Sequence, residues 1–278
     1  MNTRKRLLDD EEYDFLRRLV YKNTGLAFDA DKRQLFESRV RKRLEVIGMT
    51  AAEYVRFLLS AESDSELRQL VDLLTVNETY FFRDLPQLDV FARQVLPEIY
   101  EQKVDSPTEK IRIWSAGCSI GCEAYTLAII VLEYFRGRRP VPVEIVGTDI
   151  SLSALEVARK GLYTDREVRG MAKSLLERYM VRGQDYWTPR EELKRIVRFR
   201  YGNLLDAEDN RLMRGFDAIF CRNVLIYFDE DSRRRAAQVL YDALREGGYV
   251  FLGHAESMSR ISSLFRLKRL GRDLVYVK

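Results

Sequence analysis

The chain has 278 residues, of which 46% are apolar and 32% charged, and its formal net charge is +4. No apolar run approaches the roughly 20 residues that a membrane-spanning helix needs, and residues 1–10 lack the apolar core of a signal peptide. We therefore predict a cytoplasmic protein without membrane insertion, and the modest charge gives no reason to expect nucleic-acid binding.

Residues 1–75 are predicted to form an all-α N-terminal domain. Apolar residues recur there at three- and four-residue steps, the helical period, in four segments: 11–21, 32–47, 51–60 and 65–75. Asp31 and Thr50 are predicted helix N-caps, and Gly48 a helix end. Residues 76–110 are predicted to connect this domain to the next, with a loop at 104–110.

The second helical segment is basic on one side. Lys32, Arg39 and Arg43 fall within about 40° of one another on a helix of 3.6 residues per turn, beside an apolar stripe. Such a face is either a solvated surface or a docking surface for an acidic partner.

From residue 111 the pattern changes to short apolar runs that alternate with helical segments. The predicted strands are 111–115, 143–148, 197–201, 218–221 and 249–253, and the predicted helices are 123–135, 153–160 and 232–244. This alternation predicts a doubly wound parallel sheet over residues 111–278. Runs 265–270 and 273–277, separated by Gly271 and Arg272, predict a closing antiparallel hairpin, and residues 162–196 predict a small inserted β subdomain.

A glycine turn joins the first predicted strand to a helix. Gly117 and Gly121 let a ligand approach the backbone near a helix N-terminus, although a tight connection alone would also use them. Cys118 and Cys122 lie in this turn. With only one histidine, His254, and three cysteines in the chain, a zinc site of four ligands is not expected.

An acidic residue ends the second predicted strand. A carboxylate at this position of a doubly wound sheet can accept hydrogen bonds from ribose hydroxyls, so Asp149 predicts adenosine binding; capping the next helix is the alternative. Because the sheet closes with a hairpin and not with further crossovers, fold-level analogy favours S-adenosylmethionine over a nicotinamide cofactor.

Several segments together resemble the CheR family of chemotaxis receptor methyltransferases. They include Asn77-Glu-Thr-Tyr-Phe-Phe-Arg83, Trp114-Ser-Ala-Gly-Cys-Ser-Ile-Gly-Cys-Glu123 and Gly147-Thr-Asp149, followed by Gly202-Asn-Leu-Leu205, Cys221-Arg-Asn-Val-Leu-Ile-Tyr227 and Gly253-His-Ala-Glu-Ser257. The resemblance spans nearly the whole chain. It implies methyl transfer from S-adenosylmethionine, which becomes S-adenosylhomocysteine, to glutamate side chains on the cytoplasmic helices of chemoreceptors.

The resemblance also implies a site. Arg83 and Tyr227 would face the reacting centre. The implied cofactor residues are Asn77, Thr79, Arg83, Gly117, Glu123, Asp149, Asn203, Leu204, Arg222 and Asn223. Lys32, Arg39 and Arg43 would dock the receptor.

Each of these roles has a structural alternative. Arg83 could pair with Asp84 or Glu78, Tyr227 could be a core aromatic residue, and Glu123 could simply favour the start of a helix. His254 is expected to form structural hydrogen bonds and not to act as a catalyst.

The inserted subdomain bears on how a receptor would be held. Family members that bind a receptor C-terminal peptide carry a glycine-rich extension in the loop of this subdomain. Residues 182–189 have one glycine and no extension, which predicts an enzyme without a tether.

We expect a monomer. An RNA methyltransferase and a non-catalytic cofactor sensor are the alternative functions.

Overall fold

The computed structural model of the protein describes residues 6–60, 64–106, 108–271 and 273–278. Three sequence predictions therefore fall partly outside the described residues: the first five residues of the N-terminal segment, Pro107 in the predicted 104–110 loop, and Arg272 in the hairpin turn.

The N-terminal part is helical, as predicted. Its helices are α1 Asp10–Thr24, α2 Arg33–Ile47, α3 Ala51–Leu58 and α4 Asp64–Leu74. Thr50 begins α3 with a capping box, and Gly48 ends α2 with φ of 70°, which confirms both predictions. The prediction for Asp31 is wrong, because this residue lies inside a 3₁₀ turn, Ala30–Lys32, and α2 begins without a side-chain cap.

Arg43 forms part of a largely buried polar cluster between these helices. Its Nε and Nη2 atoms lie 2.7 and 2.6 Å from the two carboxylate oxygens of Glu66, and the hydroxyl of Tyr54 donates to the same carboxylate at 2.7 Å. The Arg43 side chain is only 17% exposed. Arg43 therefore does not belong to the exposed basic face predicted for α2, because its guanidinium is bound within the helical part of the chain.

The remaining elements follow in the predicted alternation. The connecting helices are α5 Leu85–Val90 and α6 Leu96–Lys103, joined by a π-helical turn, Phe91–Val95. The later helices are α7 Cys122–Phe135, α8 Leu152–Lys160, α9 Asp165–Val168, α10 Lys173–Tyr179, α11 Glu191–Ile196, α12 Ala207–Asn210 and α13 Glu230–Ala243. The strands are β1 Ile111–Ala116, β2 Val143–Asp149, β3 Met180–Arg182, β4 Trp187–Pro189, β5 Val197–Tyr201, β6 Phe216–Cys221, β7 Leu244–Leu252, β8 Arg266–Leu270 and β9 Asp273–Val277.

Seven strands form one sheet in the order β5-β2-β1-β6-β7-β9-β8. The first five are parallel, and β9 and β8 are antiparallel. The strand order reverses between β1 and β6, where open α/β sheets bind ligands beyond the carboxyl ends of their strands. The separate β3–β4 hairpin lies in the inserted segment. These features confirm the predicted doubly wound sheet, its closing hairpin and the β insertion.

One core face of the sheet is continuous with the helical N-terminal part. Tyr13 and Phe36 belong to the same buried cluster as Trp114 and Ile219 of the sheet and Leu240 of α13. The other face packs on α5, α6 and α7. The N-terminal helices thus share one continuous buried core with the sheet and α13.

A fully buried carboxylate fixes the amino-terminal edge of the sheet. Asp217 accepts hydrogen bonds from Lys103 Nζ at 2.8 Å and from the backbone N–H of Arg112 at 2.7 Å, and its other oxygen accepts one from Arg245 Nε. The Asp217 side chain has no exposed surface and that of Lys103 is 8% exposed. Removing one partner of such a pair leaves an unpaired buried charge.

We expect Asp217→Asn to lower the free energy of unfolding by about 3–5 kcal/mol, because it leaves the Lys103 ammonium buried without its carboxylate. Urea denaturation measures this. Asp89→Asn, which removes an exposed ion pair with Arg93, should change it by at most about 0.5 kcal/mol. Equal effects of the two substitutions would contradict this account.

Candidate functional site

A two-lobed cleft lies at the carboxyl ends of β1, β2 and β6. The polar lobe has a volume of about 800 Å³ and the apolar lobe about 1120 Å³. Residues that line both lobes are Val76, Gly117, Ser119, Asn223 and Tyr227. All ten predicted cofactor residues line one lobe or both, so the fold brings together residues from five separate parts of the chain.

The glycine turn between β1 and α7 forms the floor of the cleft. Gly117 and Gly121 have φ angles of 78° and 88°, which disfavour other residues. A Cβ atom on Gly117 would lie 2.3 Å from a methyl group of Val224. The turn therefore needs glycine both for its backbone conformation and for contact with the loop after β6.

Asp149 ends β2 and faces the apolar lobe. Its two carboxylate oxygens accept hydrogen bonds from the backbone N–H groups of Ser119, at 2.7 Å, and Ser151, at 2.8 Å. Burial raises the pKa of Asp149, and these N–H groups oppose the shift. The side chain that caps α8 is that of Ser151, not of Asp149, so the capping alternative for Asp149 is excluded.

Glu123 and Arg222 organise the polar lobe. Glu123 accepts a hydrogen bond from Ser115 Oγ at 2.7 Å and lies 3.3 Å from Arg222 Nη1. Burial raises the pKa of Glu123, while the Arg222 guanidinium lowers it. Arg222 also contacts the Asp84 carboxylate at 3.2 Å, yet its Nε atom is buried without a hydrogen-bond partner. This N–H can serve a ligand in the lobe.

Arg83 and Tyr227 line the polar lobe. Arg83 donates to the backbone carbonyl of Glu78 at 3.1 Å, and within the described ranges no carboxylate oxygen lies within 4.0 Å of its guanidinium. The predicted alternative, an ion pair with Asp84 or Glu78, is therefore absent. Tyr227 is half-buried at the junction of the two lobes, and burial raises the pKa of its hydroxyl.

Two predicted cofactor residues have side chains that already carry structural hydrogen bonds. Asn203 donates to the carbonyl of Asn23 at 2.6 Å and accepts from the backbone N–H of Leu205 at 3.0 Å. Asn77 donates to Ser151 Oγ at 3.0 Å. Both line the apolar lobe, and they shape it more than they present free polar groups.

Glu256 is a site residue to which the sequence analysis assigned no role. Its carboxylate accepts hydrogen bonds from five backbone N–H groups, those of Asn223, Val224, Leu225, Ile226 and Gly253, at 2.7–3.3 Å. It thereby holds the loop after β6, in which Asn223 has φ of 60°. The Gly253–Ser257 segment of the family resemblance was the signal that could have found it.

A short segment of the N-terminal part closes the apolar lobe. The backbone N–H of Ala27 donates to the carbonyl of Tyr227 at 3.0 Å, and Leu26 forms a β-bridge with Phe228. Lys32 lines the same lobe, with its Nζ 3.5 Å from the Ala27 carbonyl. No sequence pattern marked this segment, because its contacts depend on packing between distant parts of the chain.

The other predicted features lie outside the cleft or are inert within it. Arg39 is half-buried on α2, and Arg43 is bound to Glu66. All three cysteines are buried, and burial raises the pKa of each thiol. Among the described residues, no cluster of His, Cys, Asp and Glu is arranged to hold a metal ion, and no helix combines the length and apolar character of a membrane span.

Comparison with known proteins identifies the family. The all-α domain of CheR methyltransferases matches residues 11–75, and the S-adenosylmethionine-binding domain of CheR methyltransferases matches residues 77–272. Chemotaxis protein methyltransferase 2 of Vibrio cholerae is 36% identical over 98% of this chain and 94% of its own length. Chemotaxis protein methyltransferase of Borreliella burgdorferi is 38% identical over 89% of this chain and 88% of its own.

Among solved structures, the glycopeptide N-methyltransferase MtfA matches with a TM-score of 0.34 and 18% identity, over 69% of this chain and 72% of that one. The two family matches and the curated relatives decide the assignment. The chain belongs to the CheR family of chemotaxis methyltransferases, and its cofactor is S-adenosylmethionine.

Proposed function

We propose that this enzyme transfers the methyl group of S-adenosylmethionine to glutamate side chains on the cytoplasmic helices of chemoreceptors, and that it acts in the cytoplasm as a monomer without a receptor tether. The observation that carries the proposal is the polar lobe, which we name the reaction lobe. Arg83 and Tyr227 line it, and Arg83 has no carboxylate partner among the described residues. No histidine lines this lobe, and both of its carboxylates are already engaged, Glu78 by Arg166 and Glu123 by Arg222 and Ser115. That set of groups suits an acceptor that is already an anion.

The apolar lobe fits the adenosine part of the cofactor. Its wall combines aliphatic side chains with Asp149 at the end of β2. Each Asp149 oxygen already accepts one backbone N–H and retains capacity for a second hydrogen bond, so the two ribose hydroxyls can both donate to it. Gly117 allows the cofactor to lie close to the backbone.

The polar lobe fits the methionine part. The Glu123 carboxylate can bind the ammonium group of the cofactor, and the unpartnered Arg222 Nε–H can bind its carboxylate. The buried position of both groups strengthens these contacts relative to water. When bound, the cofactor supplies an electrophilic methyl group on a sulfonium.

The protein then has to place the acceptor. A glutamate carboxylate, with an ordinary pKa of about 4.3, is ionised at neutral pH and needs no proton removed. Arg83, whose guanidinium has no carboxylate partner in the described part of the chain, can hold one acceptor oxygen while the other faces the methyl group. Tyr227 forms the wall beside it. Alignment and exclusion of water are thus the main contributions of the chain.

The inserted hairpin supports methylation without a tether. Its turn is tight: the backbone N–H of Gly183 donates to the carbonyl of Tyr186 at 2.8 Å, directly after β3. This connection leaves no extended loop of the kind that the tethered family members carry.

The exposed face of α2 supports receptor docking. Arg41 and Lys42 are exposed and Arg39 is half-buried, and within the described residues none of the three has a carboxylate partner within 4.0 Å. An uncompensated basic face favours encounter with an acidic receptor helix.

The first test is a base-labile methyl assay. The protein is incubated with labelled S-adenosylmethionine and membranes that carry chemoreceptors, and the receptor band is then treated with mild alkali. We expect volatile labelled methanol from the wild type, a decrease on the order of 100-fold for Arg83→Ala, and a smaller decrease of about 10-fold for Tyr227→Phe, which removes a hydroxyl that can donate one hydrogen bond to the acceptor.

Arg211→Ala is the matched control, because it removes an exposed arginine that lines neither lobe and whose ion-pair partner among the described residues is Glu208. It should leave the rate unchanged. Label on the receptor that withstands alkali would refute the carboxyl ester, and full activity in Arg83→Ala would refute the role of Arg83.

A second prediction concerns pH. Burial raises the pKa of Glu123, so lowering the pH protonates this carboxyl earlier than an ordinary glutamate and removes its attraction for the ammonium group. We expect the affinity for S-adenosylhomocysteine to fall as the pH decreases from 8 to 5.5. Glu123→Gln should bind about 10-fold more weakly at pH 8 and lose most of this dependence, as measured by isothermal titration calorimetry.

Burial also raises the pKa of Asp149, so the pH dependence that remains in Glu123→Gln should disappear when Asp149→Asn is added. Glu208→Gln, which changes an exposed residue, is the control. Its affinity for S-adenosylhomocysteine should depend on pH in the same way as that of the wild type. A pH response in Glu123→Gln as steep as that of the wild type would refute the assignment of Glu123.

A further inference from the structure

A second cavity adjoins the reaction lobe on the side away from the apolar lobe. Its volume is about 750 Å³, and it lies between the loop after β6, the start of α13 and the segment after β7. Ile226 lines both this cavity and the reaction lobe and is 38% exposed. The two spaces are therefore neighbours across one side chain.

The acidic side chains that line this cavity already have hydrogen-bond or ion-pair partners. The Glu256 carboxylate accepts five backbone N–H groups, and Glu230 forms an ion pair with Arg234. Within the described residues, neither carboxylate forms an ion pair with Arg233 or Arg260.

Two arginines in the same lining have no carboxylate partner among the described residues. Arg233 uses its Nε to donate to the carbonyl of Leu225 at 2.9 Å. Arg260 is exposed and has neither a hydrogen bond nor an ion pair with the part of the chain that the structure describes. No carboxylate oxygen of the described residues lies within 4.0 Å of either guanidinium. The cavity thus offers two sets of guanidinium N–H donors above an apolar floor formed by Leu225 and Ile261.

We propose that this cavity is a substrate subsite in which Arg233 and Arg260 bind an acidic side chain of the protein substrate that flanks the methylated glutamate. The inference rests on the proposed function, because it takes the acceptor to be a glutamate within a protein segment. With the acceptor in the reaction lobe, the segment passes over Ile226 into the cavity. Guanidinium groups bind carboxylates with paired, charge-assisted hydrogen bonds, so the subsite selects for acidic neighbours.

The test varies the concentration of a chemoreceptor cytoplasmic fragment at saturating S-adenosylmethionine and measures base-labile methyl incorporation. Arg260→Glu should raise the KM for the fragment at least five-fold and change kcat less than two-fold. It should leave the Kd for S-adenosylhomocysteine unchanged, whereas Arg260→Lys should keep most of the wild-type KM. The ratio of KM values should shrink at high salt, because the guanidinium is exposed.

Arg211→Glu reverses an equally exposed arginine outside the cavity and is the matched control. A fragment in which the acidic residues beside the acceptor are replaced by lysine should be methylated better by Arg260→Glu than by the wild type. Such a reversal would tie the effect to the substrate and not to folding, and thermal denaturation of each variant checks the fold.

The outcomes separate the two hypotheses. Equal KM values for wild type, Arg260→Glu and Arg211→Glu, with normal methylation of the fragment, would overturn the subsite alone. A decrease in kcat without a change in KM would also overturn it and would indicate an effect through the loop after β6. A wild-type protein that binds S-adenosylhomocysteine but esterifies no chemoreceptor fragment would overturn the proposed function, and the subsite with it.

Discussion

The geometry of the cleft depends on one carboxylate that never has to touch a ligand. Glu256 gathers five backbone N–H groups and so fixes the loop between β6 and α13. That loop carries Arg222 to the polar lobe, and Asn223 and Tyr227 to the junction of both lobes. Hydrogen bonds to an ionised acceptor are stronger than neutral ones, and several converge here on a single partly buried group.

Backbone strain is concentrated around the same cleft. The non-glycine residues with positive φ among those described are Phe82, Asp84, Ser119 and Asn223. Phe82 and Asp84 flank Arg83, Ser119 donates to Asp149, and Asn223 follows Arg222. Such conformations cost on the order of 1 kcal/mol or more each and persist where the surroundings impose them. Here those surroundings are Arg222, which holds the carbonyl of Arg83 at 2.7 Å, and the carboxylate of Glu256.

Much of the fold could be predicted from the sequence because its local signals agree with its tertiary structure. The helical period before residue 75, the alternation after residue 111 and the glycine turn each depend on short-range patterns. The prediction of helix N-caps was less reliable. Asp31 is a residue type typical of an N-cap, but it lies inside a 3₁₀ turn that precedes α2.

Side-chain partners were the part that local patterns could not reveal. Arg43 has the helical spacing of an exposed basic face, yet Glu66, 23 residues away, binds it. The contact between Ala27 and Tyr227 and the convergence of backbone groups on Glu256 likewise join residues far apart in sequence. The family resemblance, which reflects the whole fold, indicated residues that spacing alone left ambiguous and that the fold brings together at the cleft.

The contact between Ala27 and Tyr227 also determines how much of the chain is needed to form the complete cleft. The apolar lobe takes one wall from the sheet and another from Leu26, Ala27 and Phe28, so the pocket is shared between the two halves of the chain. A fragment that begins after residue 75 would keep Asp149 and Glu123 but would expose the apolar lobe to water. The helical N-terminal part is therefore a structural wall of the cleft.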